Sequence, residues 1–147
     1  MERKEFIRNL GAIAFCAACG ALPAACKKEN NSDTVPYVPV NFQMDLNSPD
    51  YVDLSTIGGY VYVDNQGARG IFVRRTGTSE YIALDRNCTH KPSGSCAVVS
   101  VNTSNILECP CHGSQYELDG SVHKGPTTLP LVEYTTSLNG NILTITN

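Results

Sequence analysis

The 147-residue chain has no tryptophan and only three histidines, and only 17% of its residues are charged. Basic residues are scarce in most of it: six lysines and arginines follow Thr34, against ten acidic residues. A nucleic-acid-binding surface needs a stripe of basic side chains to neutralise phosphates, so this balance argues against a nucleic-acid partner. The length suits one domain with a single, small β-type core.

The apolar stretch near the start is too short for an ordinary membrane span. Residues 10–25 carry no charge, follow the basic residues Arg3, Lys4 and Arg8, and lead through small residues into a polar segment. Such a stretch falls below the roughly 20 residues that cross a bilayer, and its arrangement is typical of a bacterial-type export signal. A tilted, uncleaved anchor is the alternative. We expect an export or lipoprotein signal at residues 1–26, a linker at 27–36 and the folded domain at 37–147.

One cysteine at the end of this signal resembles a lipoprotein acceptor. Cys26 follows Leu22-Pro23-Ala24-Ala25 and precedes a polar tether, although Pro23 stands where an aliphatic residue is usual. Cys19, after two alanines, is the rival acceptor. Residues 3–8 resemble a twin-arginine signal with lysine in place of the second arginine. We expect an exported protein of the periplasm or cell envelope, anchored to the membrane by lipid on Cys26.

From Tyr37 onward the chain is a series of short runs rich in valine, isoleucine and aromatic residues. The runs are 38–46, 60–63, 70–74, 81–84, 97–101, 105–108, 115–118, 131–138 and 141–146. Turn residues separate them, including Asp119-Gly120 and Asn139-Gly140, and Asn-Gly between two alternating runs is a strong hairpin signal. No helical period longer than two turns follows the N-terminal segment. The pattern predicts an antiparallel β-sandwich or barrel of many short strands.

Two short cysteine–histidine motifs fall in predicted loops. Cys88-Thr89-His90 follows the run 81–84, and Cys109-Pro110-Cys111-His112-Gly113-Ser114 lies between 105–108 and 115–118. Each motif offers a thiolate and an imidazole, the ligand types of iron–sulfur and zinc centres. Structural zinc usually takes its cysteines from one short motif and its histidines from another, whereas here each motif mixes the two. Zinc, or ordinary disulfides beside incidental histidines, are the alternatives.

The second motif resembles, residue for residue, the second ligand motif of Rieske iron–sulfur proteins, CPCHGS. The resemblance implies an all-β, Rieske-like antiparallel β-sandwich with two loops that bind one 2Fe–2S cluster. Cys88 and Cys109 would hold one iron as thiolates, and His90 and His112 the other as neutral imidazoles. The resemblance has good motif support over residues 81–147, and rests on strand count alone over residues 37–77.

The same resemblance implies roles for four further residues. In Rieske proteins of the cytochrome bc type, the cysteine at the position of Cys111 forms a disulfide, and Cys96 would be its partner here. Cys96 lies six residues after His90, where the family usually has three, so the first loop is longer. Ser114 and Tyr116 match the serine and tyrosine that hydrogen-bond the cluster sulfurs in high-potential members.

Gly125-Pro126 resembles the proline loop that covers the cluster from a third side in this family. Beside it, His123 lies in a polar, glycine-rich segment, and we expect an ordinary exposed loop residue. A cysteine pair left over next to a metal site suggests a disulfide, which indicates an oxidising compartment.

The resemblance implies one-electron transfer by an exported, membrane-tethered Rieske protein that is a subunit or partner of a larger oxidoreductase. We expect no substrate turnover by the chain alone, because no second domain for mononuclear iron or flavin fits in this length. Its partners would be redox proteins that donate and accept electrons. The alternatives are the ferredoxin component of a ring-hydroxylating oxygenase, which shares the fold, and a zinc-stabilised surface lipoprotein.

Overall fold

The computed structural model describes residues 33–147, which form ten β-strands and one 3₁₀ helix. The strands are β1 (Asn41–Asp45), β2 (Tyr60–Val63), β3 (Ile71–Arg75), β4 (Tyr81–Asp85), β5 (Ser100–Val101), β6 (Leu107–Glu108), β7 (Gln115–Tyr116), β8 (Val122–Lys124), β9 (Glu133–Asn139) and β10 (Ile142–Thr146). The 3₁₀ helix, Pro49–Ser55, lies between β1 and β2. The expected signal, with Cys16, Cys19 and Cys26, lies outside the described residues.

The strands form two sheets. The larger has six strands in the order β1-β10-β9-β4-β3-β2, and the smaller has four in the order β5-β6-β7-β8. Every pairing in both sheets is antiparallel. The prediction of an antiparallel all-β fold is therefore confirmed. No helix within residues 33–147 is long and apolar enough to cross a membrane.

The central strands β3 and β4 are apolar on both faces because each face packs into a different core. Ile71 and Val73 lie in a core with side chains of β1, β9 and β10, whereas Phe72, between them, lies in a second core. Side chains alternate across a strand, so a continuous apolar run indicates burial on both faces. The second core extends into the four-stranded sheet through Leu107 and Tyr116, and it includes Cys88 and Cys109.

The expected hairpin at the end of the chain is present, with its loop shifted by one residue. Asn139 pairs with Ile142, so the two loop residues are Gly140 and Asn141. Gly140 has a φ of 61°, a conformation that glycine adopts at little cost and that the first residue of a two-residue hairpin loop often needs. The Asn-Gly signal therefore identified the hairpin but not the residue at its tip.

Two elements were not predicted from the sequence. All three side chains of β8 are exposed, so no alternation of apolar and polar residues marks it. The 3₁₀ helix is capped by Ser48, which accepts the Asp50 N–H at 3.3 Å, and Leu54 is its buried residue. With one buried side chain it has no apolar period that the sequence could show.

Candidate metal centre

The first cysteine–histidine loop leaves β4 and is held by the segment that returns toward β5. Cys88 donates its N–H to the Ala97 carbonyl at 2.9 Å, and Val99 donates to the Arg86 carbonyl at 2.8 Å. These bonds explain why the predicted run 97–101 forms a strand only at Ser100–Val101, since its first residues bond to the loop instead. Cys88 is 1% exposed, and His90 is half-buried. The loop therefore has its thiol inside and its imidazole nearer solvent.

The second loop connects β6 to β7 and repeats this arrangement. Cys109 donates its N–H to the Ser114 carbonyl at 2.9 Å, and Gly113 donates to the Cys109 carbonyl at 3.0 Å. Gly113 closes the turn with a φ of 77°, which favours glycine. Cys109 is fully buried at 0% exposure, whereas His112 is exposed.

The four expected ligands come together as two like pairs. The Cys88 and Cys109 thiols are close neighbours, and the His90 and His112 ring centroids lie 5.0 Å apart with the rings at 78°. Burial raises the pKa of the Cys109 thiol, and the neighbouring Cys88 thiol raises it further. Two adjacent buried thiols disfavour thiolates unless a metal cation compensates their charge.

The pairwise arrangement bears on which metal centre the residues fit. A structural zinc site needs four ligands around one ion. A Rieske-type centre needs only two protein ligands at each of its two irons, one pair of cysteines and one pair of histidines. The observed pairs therefore fit a dinuclear centre.

A disulfide joins the two loops, between the cysteines that the family resemblance implied. Cys96 and Cys111 are bonded with their Cα atoms 5.4 Å apart, within the usual range for disulfides. The longer first loop is braced by Arg69, whose guanidinium donates to the carbonyls of Pro92, Gly94 and Ser95 at 3.0 to 3.4 Å. Arg69 was missed in the sequence because it lies in the β2–β3 connection, far from both motifs in the chain.

Tyr116, fully buried in β7, contacts the first cysteine. Its hydroxyl oxygen lies 3.3 Å from Cys88 Sγ and accepts the Thr89 N–H at 3.0 Å. Burial raises the pKa of Tyr116, and the hydrogen bond with Cys88 adds to the effect. Because the phenol stays protonated and its oxygen already accepts from an amide, it can donate its proton to a thiolate at Cys88.

Ser114 is fully buried, and within residues 33–147 its hydroxyl is hydrogen-bonded only as an acceptor. Its Oγ accepts the Thr127 N–H at 3.1 Å, and no acceptor for its own hydroxyl proton is present among residues 33–147. Thr127 follows Gly125 and Pro126, which are joined by a cis peptide bond. A buried donor without an acceptor is costly, so this hydroxyl fits a site where an inorganic sulfide accepts from it.

The third histidine lies apart from this arrangement. His123 is on β8 rather than in a loop, it is exposed as expected, and its Nδ1 lies 2.6 Å from Glu117 Oε1. It therefore pairs with a surface carboxylate and not with the cysteine–histidine loops.

The Rieske [2Fe-2S] domain model matches residues 40–135, which is well over half of the chain. This chain belongs to the Rieske family. Members of the family bind a single 2Fe–2S cluster, and the buried thiol pair, the imidazole pair and the Ser114 hydroxyl fit that group.

Similar curated Rieske proteins are iron–sulfur subunits of the cytochrome b6-f complex. The chloroplastic subunit of Volvox carteri is 41% identical over 71 residues, covering 46% of this chain and 33% of that protein. The subunit of Chlorobaculum thiosulfatiphilum is 38% identical over 63 residues, covering 43% of this chain and 33% of that protein. The chain thus spans about a third of the length of these relatives.

Among solved structures, the chain is similar to the cyanobacterial plasma membrane Rieske protein PetC3 from Synechocystis PCC 6803. The two are 27% identical with a TM-score of 0.52, and the match covers 76% of this chain and 100% of that one. The likeness supports the antiparallel β-fold of this chain.

Proposed function

We propose that this Rieske protein transfers one electron at a time through a 2Fe–2S cluster held by Cys88, Cys109, His90 and His112. The observation that carries the proposal is the arrangement of the four ligands, with two buried thiols inside and two imidazoles on the solvent side. When bound, the cluster supplies a one-electron couple whose potential the two histidines raise. His90 and His112 would then be the route by which an electron enters or leaves.

The chain would act as an electron-carrying subunit or partner of a larger oxidoreductase rather than turn over a substrate itself. Its curated relatives are subunits of the cytochrome b6-f complex, which supports this role. The exposed His112 and the half-buried His90 leave the site open to a protein partner. A quinol-oxidising or substrate-oxidising subunit would be the donor.

Full-length protein purified from a host that assembles iron–sulfur clusters tests electron transfer. We expect equal amounts of iron and acid-labile sulfide, one cluster per chain, a visible absorption band, a rhombic EPR signal after reduction and a reversible one-electron wave. His112→Ala should lose these signals, whereas His123→Ala, which changes a histidine outside the site, should keep them. A colourless, EPR-silent wild-type protein that carries zinc would overturn the proposal.

We further propose that the chain is exported and held at a membrane by lipid on Cys26. In this proposal residues 1–26 are the signal, 27–36 the linker and 37–147 the domain. The Cys96–Cys111 disulfide supports an oxidising compartment, and the similar PetC3 structure is of a plasma membrane protein. An acylated cysteine together with an acylated amino terminus gives stable attachment.

Intact-mass and peptide analysis of protein extracted from membranes tests the anchor. We expect a mature chain that begins at a lipid-modified Cys26, and loss of membrane attachment in Cys26→Ser but not in Cys19→Ser. Membrane-bound protein that retains Met1 would instead support an uncleaved anchor.

A further inference from the structure

Three loops meet in a hydroxyl network beside the cysteine pair. Thr127, in the third loop, is 4% exposed, and its Oγ1 lies 2.7 Å from Thr89 Oγ1. Thr89 Oγ1 in turn lies 2.9 Å from the Tyr116 hydroxyl oxygen, which lies 3.3 Å from Cys88 Sγ. Thr127 is thus connected through Thr89 to the Tyr116 hydroxyl, which contacts Cys88 Sγ, and through its own N–H to Ser114.

The donor in each of these hydrogen bonds can be assigned from the Leu129 carbonyl, which can only accept. The Leu129 carbonyl lies 2.7 Å from Thr89 Oγ1 and 3.1 Å from Thr127 Oγ1, so Thr89 is the better placed donor to it. With its own proton used there, Thr89 Oγ1 becomes the acceptor for the Thr127 hydroxyl at 2.7 Å. The Leu129 N–H lies 3.4 Å from Thr127 Oγ1 and donates to it.

The Tyr116 proton has two acceptors within reach. One is Cys88 Sγ, and the other is Thr89 Oγ1. A hydroxyl oxygen has two acceptor positions, and the Thr127 proton occupies one of those on Thr89. Competition for the Tyr116 proton is therefore weakened, and a thiolate at Cys88 is the stronger acceptor because it is charged.

We propose that Thr127 is a positioning residue: by donating to Thr89 Oγ1, its hydroxyl directs the Tyr116 proton to Cys88 Sγ. Its backbone N–H orients the Ser114 hydroxyl in a similar way. The serine oxygen accepts from the third loop, so its own proton points away from that loop. One buried threonine thus orients both hydroxyls that the family resemblance assigns to the cluster sulfurs. The inference rests on the proposed ligand set, in which Cys88 is a thiolate.

The proposal predicts different effects on the reduction potential for two similar substitutions. Thr127→Val removes the hydroxyl but keeps the β-branched shape and the N–H to Ser114, so Thr89 Oγ1 is free to take the Tyr116 proton from the sulfur. Thr89→Val removes the competing acceptor, while its backbone N–H still donates to Tyr116. Donors to sulfur stabilise the more negative, reduced cluster, so Thr127→Val should lower the reduction potential and Thr89→Val should not.

Protein-film voltammetry on the full chain measures the difference. We expect Thr127→Val to disfavour reduction at least about threefold in equilibrium constant, which is about 30 mV for one electron. Thr127→Ser should keep the wild-type potential, and Thr89→Val alone or with Thr127→Val should not fall below it. In a Tyr116→Phe background, Thr127→Val should have no further effect.

The outcomes separate this inference from the proposed function. A wild-type protein without a rhombic EPR signal would refute the function and ligand proposals. A wild-type protein with that signal, but with no shift in Thr127→Val or the same shift in a Tyr116→Phe background, would refute the positioning role alone. If Thr127→Val holds no cluster, Thr127→Ala takes its place with the same expected shift, and loss of the cluster in both would show that Thr127 is merely structural.

Discussion

The six-stranded and four-stranded sheets are stabilised in part by different interactions. Strands of the larger sheet have four to seven residues, whereas those of the smaller have two or three. A two-residue strand contributes few ladder hydrogen bonds, so the smaller sheet depends on other constraints. These are the disulfide, side-chain bonds to loop carbonyls and, in the proposed function, the cluster itself. Apolar burial contributes to both sheets, and the smaller sheet depends in addition on cross-links around the site.

Side chains that belong to the larger sheet also fix the smaller one. Arg86, directly after β4, donates to the Val99 carbonyl at 3.0 Å and lies over the Tyr62 ring at 4.0 Å from its centroid. The Tyr62 hydroxyl accepts the Val101 N–H at 2.9 Å, and Arg69 braces the first loop. The larger sheet is thus a rigid support, and the geometry of the site depends on it. Five predictions test this difference between the larger sheet and the smaller sheet with its loops.

The largest expected effect is loss of a proposed ligand. Cys88→Ser, Cys109→Ser, His90→Ala and His112→Ala should each abolish the visible absorption, since each removes one of four protein ligands. The far-UV circular dichroism of the larger sheet should remain, because the core that Ile71 and Val73 share with β1, β9 and β10 does not include the two loops. A variant that loses both signals together would show that the two regions are one cooperative unit.

A core substitution in the larger sheet should lower the stability of the fold and leave the cluster signals unchanged. Leu143 in β10 is fully buried, and Leu143→Ala should lower the free energy of unfolding by about 2–5 kcal/mol. The fraction that stays folded should keep an unchanged EPR spectrum. The control is Ile57→Ala, at a side chain that is 58% exposed, which should change stability by less than about 0.5 kcal/mol. Chemical denaturation measures both, and an altered EPR spectrum in Leu143→Ala would contradict this difference between the two sheets.

Removal of the disulfide should weaken mainly the smaller region. Cys96 and Cys111 are 15 positions apart, and closing such a loop is worth about 3 kcal/mol in the chain-entropy picture. Cys96→Ser/Cys111→Ser replaces both partners, so neither is left as a free thiol, and the cluster absorbance should disappear at a lower temperature than in wild type. Non-reducing peptide mapping of wild type should recover the bonded pair. Cys96 found as a free thiol in native protein would refute the bridge.

Loss of the Tyr116 hydroxyl should change the potential with little effect on either sheet. A hydrogen bond to a charged group is worth roughly 1.5–3 kcal/mol, or on the order of 60–130 mV for one electron. Tyr116→Phe keeps the ring packed and should lower the potential by that amount, and Ser114→Ala by a similar amount. With both donors present, we expect the upper half of the roughly −150 to +300 mV Rieske range. Voltammetry that finds no change in Tyr116→Phe would show that the hydroxyl does not donate to the cluster.

The smallest expected effect is a pH dependence that belongs to the smaller sheet. Hydrogen bonds from the Asn102 and Gln115 amides lower the pKa of Glu108 below its usual value of 4.5. A carboxyl whose pKa is lower in the folded than in the unfolded state stabilises the folded protein at pH values above its unfolded pKa. This contribution is lost as the pH falls through the pKa of the folded state. Glu108→Gln should therefore melt slightly below wild type at about pH 7, with the difference shrinking below about pH 4.5. Glu133→Gln, at an exposed position of β9, is the control, and an equal pH-dependent difference there would contradict the assignment.

The features that could be predicted from the sequence are those that depend on residues close together in the chain. The run Tyr60–Val63 became β2 with the expected bounds, because alternation and turn residues act within a few positions. The hairpin at Asn139-Gly140 and the placement of both cysteine–histidine motifs in loops followed for the same reason. The ligand types also depend on side-chain chemistry alone, so the two motifs are sufficient to indicate the family.

Tertiary structure decided which distant residues meet. Nothing local indicates that Arg69 braces the loop after His90, that β8 completes the smaller sheet, or that Thr127 reaches Thr89 across 38 positions. These contacts depend on how β3 and β4 bury both faces and thereby bring three loops to one end of the larger sheet. The sequence by itself determined the fold class and the chemistry of the motifs. The paired geometry of thiols and imidazoles, and the hydroxyl contacts around them, arise only from long-range packing.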